Sequence, residues 1–338
     1  MLTAALAALL AGDPSVLLIG EDLADPYGGA FKVTAGLSTR FPDRVLCTPI
    51  SEAGVVGAAI GLALAGARPV VEIMFADFLT LALDQIYNHA VKLPLLHGGQ
   101  PLPLVIRTPS GGGRGYGPTH SQSPENLAAA IPGLVVVAPS HRHDPAALLA
   151  AALALGRPVL FFEHKLLYGR AVDGGGYAVL PGAMGLDAAF PTLVAMAEAP
   201  DLTIVTFGGT LPLVEEAAAI LRRDEELVVE ILVPSLLAPD SFRTIARRVR
   251  PCANLLVVEE GPTAFGIGAE LAAIFAEAGF RGRVRRLGAP PQPIPAARAM
   301  EAAVLPSVAA IVDSGVRLFL SDVLDGPGEA ASRPPSGF

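Results

Sequence analysis

The chain has 338 residues, of which 52% are hydrophobic and 17% charged, and its formal net charge at pH 7 is −8. This length predicts two domains of roughly 150 residues each, and the apolar content argues against disorder over most of the chain. No uninterrupted apolar run reaches the ~20 residues of a membrane helix, and the negative charge argues against nucleic acid or an anionic membrane as a partner.

The two cysteines, Cys47 and Cys252, lie far apart in the sequence. Two lone cysteines form neither a disulfide framework nor a zinc site, so a reducing cytoplasm is the simplest compartment. The first segment, MLTAALAALLAGDPS, is apolar but has no basic n-region. It therefore predicts a packed first helix that ends near Gly12 and Pro14, and not a signal peptide.

Strands and helices alternate through the first half of the chain. Short apolar runs bounded by glycine and proline predict strands, and the longer stretches between them predict helices. One helix would begin after Ser51 as its N-cap. The predicted strands are 15–20, 69–74, 102–108, 134–139 and 158–163, and the predicted helices are 52–66, 77–93 and 144–153. A long glycine-rich loop covers 109–125. This order predicts a parallel sheet covered by helices on both faces.

The alternation stops at residues 171–200, which are rich in turn residues, and then resumes. The later predicted strands are 202–208, 227–233, 254–260 and a strand near 283–287, and the later predicted helices are 211–222, 239–249, 266–278 and 305–314. The sequence thus predicts an α/β fold of two domains, each a mostly parallel sheet covered by helices. The predicted domain limits are 1–170, a linker at 171–200 with room for a short strand or turn, 201–322, and a disordered tail at 323–338.

Residues 50–62 read ISEAGVVGAAIGL, with Glu52 as the one acid in a glycine-studded helix. Gly54, Gly57 and Gly61 recur at spacings that place them on one face of the helix. Each glycine costs about 1 kcal/mol relative to alanine inside a helix, so three on one face indicate close approach of another backbone. Tight packing within one subunit explains the glycines but not Glu52, although an acid in the first turn also favours the helix dipole.

The spacing from Glu52 to Gly57, Gly61 and Leu62 resembles the pyrimidine-side motif of thiamine diphosphate enzymes. The segments around it occur in the order found in the β subunit of the E1 component of 2-oxo acid dehydrogenase complexes, of the pyruvate, branched-chain and acetoin types. They are VLCTPISEAG, RPVVEIMFADF, ALDQIYNHAVK, GGQ, PLVIRTPSGGG, HSQSPE and IPGLVVVAPS. The resemblance is dense over 15–170 and looser beyond, through LVVEEG and FGIGAE. It implies a transketolase-like pyrimidine-binding domain followed by a transketolase C-terminal-like domain.

In that family a glutamate hydrogen-bonds N1′ of the cofactor's aminopyrimidine and favours the imino tautomer, whose 4′ nitrogen takes the thiazolium C2 proton. The resemblance assigns this catalytic and cofactor-binding role to Glu52. Such an acid must be within hydrogen-bond reach and sheltered from water. The resemblance also implies that Phe78 lies against the aminopyrimidine and that Met74 lines the same pocket, with plain core packing as the alternative. Leu81 stands where relatives sometimes have a polar side chain, so that contact is not carried over.

His120 lies in the long loop, in the segment THSQS. Function concentrates in long structured loops, although a histidine there can simply be solvated. In the family the matching histidine faces the active site and assists the substrate or the acyl transfer to lipoamide. Residues 111–114 do not satisfy GxGxxG and no Walker A pattern occurs, which argues against a dinucleotide or P-loop site. His141 and His143 lack nearby ligands and are expected to be surface residues at a helix start.

Half of a thiamine diphosphate site is missing from the sequence. The Mg²⁺ signature of these enzymes is GDG followed at a distance by asparagine, and none of Asn88, Asn126 and Asn254 follows a GDG. The resemblance therefore places the Mg²⁺ ligands on an E1 α subunit, in an α2β2 heterotetramer with the cofactor at the subunit interface. The mean hydropathy of +0.52 agrees with large buried interfaces. The loop ALGRP lacks the acidic and asparagine residues that are usual where several relatives hold a monovalent cation. The sequence therefore does not decide whether this chain binds such an ion.

The resemblance implies an oxidoreductase that acts on an aldehyde or oxo group with a disulfide as acceptor. Such an enzyme decarboxylates a 2-oxo acid and transfers the acyl group to lipoyl-E2. The resemblance also implies that it is active only with the α subunit. The segment EILVPSLLAPD replaces the DLRTxxP of the family, which leaves E2 docking open. The alternative is a subunit of a two-component carboligase or decarboxylase that acts without E2. A non-catalytic scaffold predicts loss of Glu52 or His120, and both are present. The sequence does not name the 2-oxo acid.

Overall fold

The structure, a computed structural model, describes residues 2–325, with side chains as far as residue 320. It contains two six-stranded sheets, one in each half of the chain, with helices packed around them. This confirms the predicted α/β fold of two domains.

The first sheet is parallel throughout, with strand order β2-β1-β3-β4-β6-β5. Its strands are β1 Val16–Glu21, β2 Val45–Thr48, β3 Arg68–Glu72, β4 Val105–Ser110, β5 Val135–Val137 and β6 Val159–His164. Its helices are α1 Leu2–Gly12, α2 Leu37–Arg40, α3 Glu52–Leu64, α4 Leu93–Leu96, α5 Glu125–Ala129 and α6 Pro145–Ala154.

Successive residues of the central strands enter two apolar clusters on opposite faces of this sheet. Val70 and Val105 lie in the cluster that also contains buried residues of α1 and α6. Their neighbours Val71 and Ile106 lie in the cluster formed with α3. Because both faces are covered, the strands read as nearly continuous apolar runs. The polar residues that do occur, such as Glu72 and His164, lie at the carboxyl ends of strands, where ligands bind in open parallel sheets.

The predicted single helix at 77–93 is wrong in detail. The chain forms a 3₁₀ segment over Ala76–Ala82, a π segment over Gln85–Ala90 and then the short helix α4. Pro94 has no N–H to bond back to Ala90, and its ring opposes a regular helix through that turn. Ser51 occupies the N-cap position of α3 as predicted, but its side chain makes no capping bond.

The second sheet has strand order β12-β11-β9-β10-β8-β7 and is mixed, because β7 and β8 run antiparallel to their neighbours. Its strands are β7 Ala178–Val179, β8 Thr192–Ala195, β9 Leu202–Thr206, β10 Val229–Pro234, β11 Asn254–Pro262 and β12 Arg283–Ala289. Its helices are α7 Leu186–Ala189, α8 Leu211–Asp224, α9 Pro239–Val249, α10 Ile267–Glu277, α11 Arg298–Val304 and α12 Val308–Asp325.

Two segments at the predicted domain limits have structure of their own. Residues 171–200, predicted as a linker, contribute β7, α7 and β8, so this segment joins the second sheet. Of the predicted tail at 323–338, residues 323–325 end α12 and the rest lies outside the described residues. Arg298–Leu320 is long and apolar enough to cross a membrane by length and composition. Its helix α12 packs against α8, β11 and β12, as the apolar helices of a folded domain do.

The two domains share buried contacts. The N–H of Ala138, just after β5, donates to the carbonyl of Ser235 at 2.8 Å, and the N–H of Leu237 donates to the carbonyl of Val136 at 2.9 Å. One apolar cluster contains Phe162 of the first domain together with residues of the second. The carboxyl edge of the first sheet is therefore built against the second domain.

Candidate active site

Glu52 is the first residue of α3 and is only 7% exposed. Within the described part of the chain, no residue forms an ion pair or hydrogen bond with its carboxylate. Glu21, at the end of β1, lies close by and accepts the N–H of Ser51 at 3.0 Å. Burial raises the pKa of Glu21, and the negative charge of Glu52 raises it further. A buried carboxylate without a partner is costly, so this position fits a ligand that brings a hydrogen-bond donor or a basic nitrogen.

The outer face of α3 is open. Gly54, Ala58 and Gly61 are exposed, and a Cβ built on Gly61 would meet nothing within 4 Å. A Cβ on Gly57 would instead lie 3.2 Å from Oε1 of Gln85. Packing within this chain therefore explains the glycine at 57 but not the one at 61. The small residues of the exposed face leave room for a backbone from outside the chain.

The structure brings Phe78 and His120 together around a residue that was not predicted, Phe75. The ring of Phe75 lies edge-on to four rings, at centroid distances of 4.6 Å to His120, 5.7 Å to Phe31, 5.8 Å to Phe78 and 6.2 Å to Tyr116. The rings of Phe78 and His120 are 5.2 Å apart. Edge-to-face pairs of this kind fix ring orientation as well as burying area.

Glu52 and Met74 belong to segments next to this aromatic group. Helix α3, which begins with Glu52, packs against the 3₁₀ segment that carries Phe78. Met74 is partly buried in the turn after β3, one residue before Phe75. Leu81 is exposed and contributes no polar contact. The assigned roles of Glu52, Phe78, Met74 and His120 stay predictions; of these four residues, the structure brings Phe78 and His120 into direct contact.

The backbone at His120 is held by a buried lysine. Nζ of Lys165, just after β6, donates to the carbonyl of His120 and lies 5.4 Å from the ring centroid of Phe75. Burial lowers the pKa of Lys165 to about 8, although the negative charge of Asp77 opposes this. The His120 ring itself is partly exposed, and its Nδ1 lies 2.8 Å from the hydroxyl of Thr119. The imidazole thus remains accessible while its backbone is fixed.

Asp77 lies on the other side of the same backbone. Its Oδ1 accepts the N–H of Gln122 at 3.4 Å, whereas its buried Oδ2 has no partner among the described residues. Burial raises the pKa of Asp77, and the neighbouring Lys165 partly offsets this. The sequence did not single out Phe75, Asp77 or Lys165, although the first two lie within the segment RPVVEIMFADF.

His164 and Glu260 form a buried pair between the domains, with Nε2 and Oε2 2.8 Å apart. Burial alone would raise the pKa of Glu260, but His164 and hydrogen bonds from the Gly112 N–H and the Ser123 hydroxyl lower it to about 2. A Cβ on Gly111 would lie 2.0 Å from His164 Nε2. Only glycine therefore fits beside this ring.

The carboxyl ends of three strands are tied together by one arginine. Arg107 on β4 donates to both oxygens of Glu163 on β6, each at 2.7 Å, and to Glu72 on β3 at 2.8 Å. The hydroxyl of Tyr168 also donates to Glu163 at 2.7 Å. Burial raises the pKa of Glu72, with the charge of Arg107 opposing it. Tyr168 links this network to the aromatic group, because its ring stacks on Phe31 at a centroid distance of 5.2 Å. The network was not predicted, although VVE, VIR and FFE each place one charge in an apolar strand.

His141 and His143 are buried, so the prediction that they lie on the surface was wrong. Nε2 of His141 pairs with Glu215 on α8 at 3.0 Å. Nδ1 of His143 accepts the N–H of Ser140, and burial lowers the pKa of His143 to about 4. The loop before α6 packs against the second half of the chain, where His143 Nε2 also lies 3.2 Å from the carbonyl of Pro191, and this explains their burial. Among the side chains that the structure describes, no group of three His, Cys, Asp or Glu residues is suited to holding a metal ion.

Comparison with known protein families identifies both domains. Residues 1–170 match the family described as transketolase, pyrimidine binding domain, and residues 193–311 match transketolase, C-terminal domain. Among solved structures, a split-gene transketolase described as an inactive beta4 tetramer superposes with a TM-score of 0.73 at 20% identity, covering 94% of this chain and 97% of that one. The transketolase from Leishmania mexicana gives a TM-score of 0.66 at 18% identity, with 94% of this chain covered and 45% of that chain.

Several curated relatives match nearly the whole chain. The pyruvate dehydrogenase E1 component subunit beta of Leifsonia xyli is 37% identical, covering 92% of this chain and 91% of the relative. The acetoin:2,6-dichlorophenolindophenol oxidoreductase subunit beta of Cupriavidus necator is 36% identical, covering 88% and 90%. The mitochondrial pyruvate dehydrogenase E1 component subunit beta-1 of Oryza sativa is 36% identical, covering 94% and 84%. The chain therefore belongs to the family of β subunits of the E1 component of 2-oxo acid dehydrogenases, built from transketolase pyrimidine-binding and C-terminal domains.

Proposed function

We propose that this chain is the β subunit of a thiamine diphosphate-dependent E1 that decarboxylates a 2-oxo acid and transfers the acyl group to lipoyl-E2. The observation that carries the proposal is Glu52, which is 7% exposed, has no partner among the described side chains, and begins a helix with an open, glycine-containing face. The names of the full-length relatives support the same reading.

When bound, thiamine diphosphate supplies the nucleophilic carbon and the electron sink for decarboxylation. Glu52 would hold a proton at the pyrimidine N1′, and its carboxylate is free for this task because no described residue binds it. Phe78 and Met74 would contact the pyrimidine ring. The Mg²⁺ that accompanies the diphosphate is assigned to the α subunit, since no asparagine of this chain follows a GDG.

His120 would act on the substrate side of the site. Its ring is partly exposed and packs edge-on against Phe75 and Phe78, so the exposed edge of the ring would be the part that faces the acyl group and the lipoyl sulfur. A positioned histidine is the side chain that most often acts as general acid or base in catalysis. Its backbone anchor, Lys165, keeps the ring in this position.

The partner is an α subunit, which we place in an α2β2 heterotetramer. Large apolar side chains just before α3 and in α4 are exposed: Ile50 at 77%, Leu95 at 82% and Leu96 at 75%. Exposed apolar residues next to an open glycine face are typical of a protein–protein contact. We also propose a cytoplasmic location, which the two free cysteines Cys47 and Cys252 support.

The alternative is a two-component carboligase or decarboxylase that does not use E2. It is favoured by one departure from the family, the segment EILVPSLLAPD in place of DLRTxxP. In the structure, part of this segment forms the contact between the domains. The Ser235 carbonyl and the Leu237 N–H make hydrogen bonds with residues at and just after β5. A requirement for lipoyl-E2 separates the two functions.

The test uses the chain assembled with its α subunit. Glu52→Gln should abolish hydrogen–deuterium exchange at C2 of bound thiamine diphosphate while the circular dichroism spectrum is kept. Glu277→Gln, an exposed glutamate at the end of α10, is the matched control. Exchange at the unaltered rate in Glu52→Gln would refute the assignment. A panel of 2-oxo acids, with and without lipoyl-E2, then identifies the substrate and decides between E1 and carboligase.

A further inference from the structure

Helix α11 of the second domain directs one buried carboxylate at the loop that carries His120. Glu301 is 3% exposed, and its Oε1 accepts the N–H of Gly113 at 2.9 Å while its Oε2 accepts the N–H of Gly115 at 2.8 Å. Both glycines have positive φ, 83° and 71°, a conformation that turns their N–H groups toward one acceptor. Charge-assisted hydrogen bonds of this kind are roughly twice as strong as neutral ones.

A second carboxylate of the same domain holds the two ends of the loop. Oε1 of Glu260 accepts the N–H of Gly112 at 2.7 Å and the hydroxyl of Ser123 at 2.9 Å. The stretch between these ends contains Tyr116 and His120. The loop is therefore clamped to the second domain before and after its histidine.

The remaining contacts leave the loop little freedom between those anchors. A Cβ on Gly117 would lie 3.1 Å from Cβ of Ala296, so the loop backbone rests directly on the segment before α11. From the first domain, Lys165 bonds the carbonyl of His120. The Tyr116 ring, next to Gly115, packs against Phe75, which also contacts the His120 ring.

From these contacts we infer that Glu301 is a positioning residue: it sets the path of residues 112–120 and so places the His120 imidazole in the active site. The inference rests on the proposed role of His120 and adds that the second domain determines its geometry. Glu301 is far along the chain from the loop and is not expected to touch the substrate. Its loss should therefore affect the step that uses His120 and leave the step that uses Glu52 unchanged.

The experiment compares Glu301→Gln with Glu277→Gln in the assembled, cofactor-loaded enzyme. Glutamine has the same size, but its amide group presents an N–H to one of the two backbone N–H groups, so one bond becomes a repulsion. Amide hydrogen exchange of the peptide covering 111–122 should rise several-fold in Glu301→Gln only. The kcat for acyl transfer to the lipoyl group should fall roughly 10- to 100-fold, since small misplacements of a catalytic group cost this much. Exchange at C2 of the cofactor should keep its rate.

A double variant distinguishes positioning from a general loss of stability. If Glu301 acts through His120, then His120→Ala combined with Glu301→Gln should be no slower than His120→Ala alone. Additive losses would overturn the inference, as would unchanged hydrogen exchange in 111–122 or an unchanged kcat despite a loosened loop. Failure of the proposed function would be seen in a different experiment, in which exchange at C2 of the cofactor persists in Glu52→Gln. Glu301→Gln is used in place of an alanine variant because glutamine preserves the packing of the side chain, so the enzyme should still fold.

Discussion

Replacing Arg107 by methionine should destabilise the first domain strongly. Arg107 is 1% exposed and donates three hydrogen bonds of 2.7–2.8 Å to two buried carboxylates, Glu72 and Glu163. Methionine fills a similar volume but leaves both acids without a cation. Removing one partner of a buried ion pair costs about 3–5 kcal/mol. At about 2–4 °C per kcal/mol for a domain of this size, the melting temperature should fall by roughly 6–20 °C.

The assay is thermal unfolding of the full chain by calorimetry and circular dichroism at pH 8. Arg68→Met is the matched control, because Arg68 pairs with Asp13 at 2.6 Å but both side chains are about one-third exposed. A pair in that setting contributes less than about 1 kcal/mol. Adding Glu72→Gln and Glu163→Gln to Arg107→Met should restore part of the loss, since no unpaired charge is then buried.

The sign of the pH dependence gives a further check. Burial already raises the pKa of Glu72 in the presence of Arg107, and without the arginine that pKa should rise more. A carboxyl whose folded pKa exceeds its unfolded value stabilises the fold below the unfolded pKa and loses this effect as pH rises. Arg107→Met should therefore be less destabilised at pH 5 than at pH 8. A melting temperature no lower than that of Arg68→Met at pH 8 would refute the reasoning.

Three further predictions concern the residues around the His120 loop. Gly111→Ala should lower the free energy of unfolding in urea by roughly 2–5 kcal/mol, because its Cβ would meet His164 and its φ is +90°. The control is Gly66→Ala, which has a similar φ of +95° but no atom within 4 Å of the new Cβ, so it should lose only the backbone part. Equal losses in the two variants would refute the steric argument. Burial raises the pKa of Glu125 to about 7, so its contribution to stability is lost as pH rises from about 4.5 to 7. Glu125→Gln should remove this part of the pH dependence of the melting temperature, which corresponds to up to about 3 kcal/mol. An unchanged pH profile in the variant would contradict the prediction. His120→Ala should slow acyl transfer to lipoyl-E2 by roughly 10²–10⁴ while C2 exchange continues, and a loss of C2 exchange would refute the division of roles.

The fold could be predicted from the sequence where both faces of a sheet are covered. Continuous apolar runs bounded by glycine and proline are enough to predict where these strands lie. The predicted helix 239–249 has the same first and last residue in the structure. The irregular helical segment at 76–90 could not be predicted, because packing against α3 and the position of Pro94 decide it. The domain limits 1–170, 171–200 and 201–322 stay predictions, although β7 and β8 extend the second sheet into the middle range.

The candidate site was predictable in part. Glu52, Phe78 and His120 stand in motifs, so their residue types and spacing are enough to point to them. Phe75 and Lys165 could not be found in this way, because their importance comes from neighbours about 45 residues away that the fold brings together. His141 and His143 show the converse error, since a helix start reads as solvent-exposed unless the packing of a second domain is known.

The carboxylates of Glu260 and Glu301 also bear on how such chains can be recombined. Residues 112–123 belong to the first domain in sequence, but four of their hydrogen-bond donors are satisfied by the second. A chimera that joins the first domain of one relative to the second domain of another would exchange these acceptors without their donors. Each half could then fold correctly and still give an inactive enzyme. Shuffling experiments in this family should therefore inherit the loop and its two acceptor glutamates from the same parent.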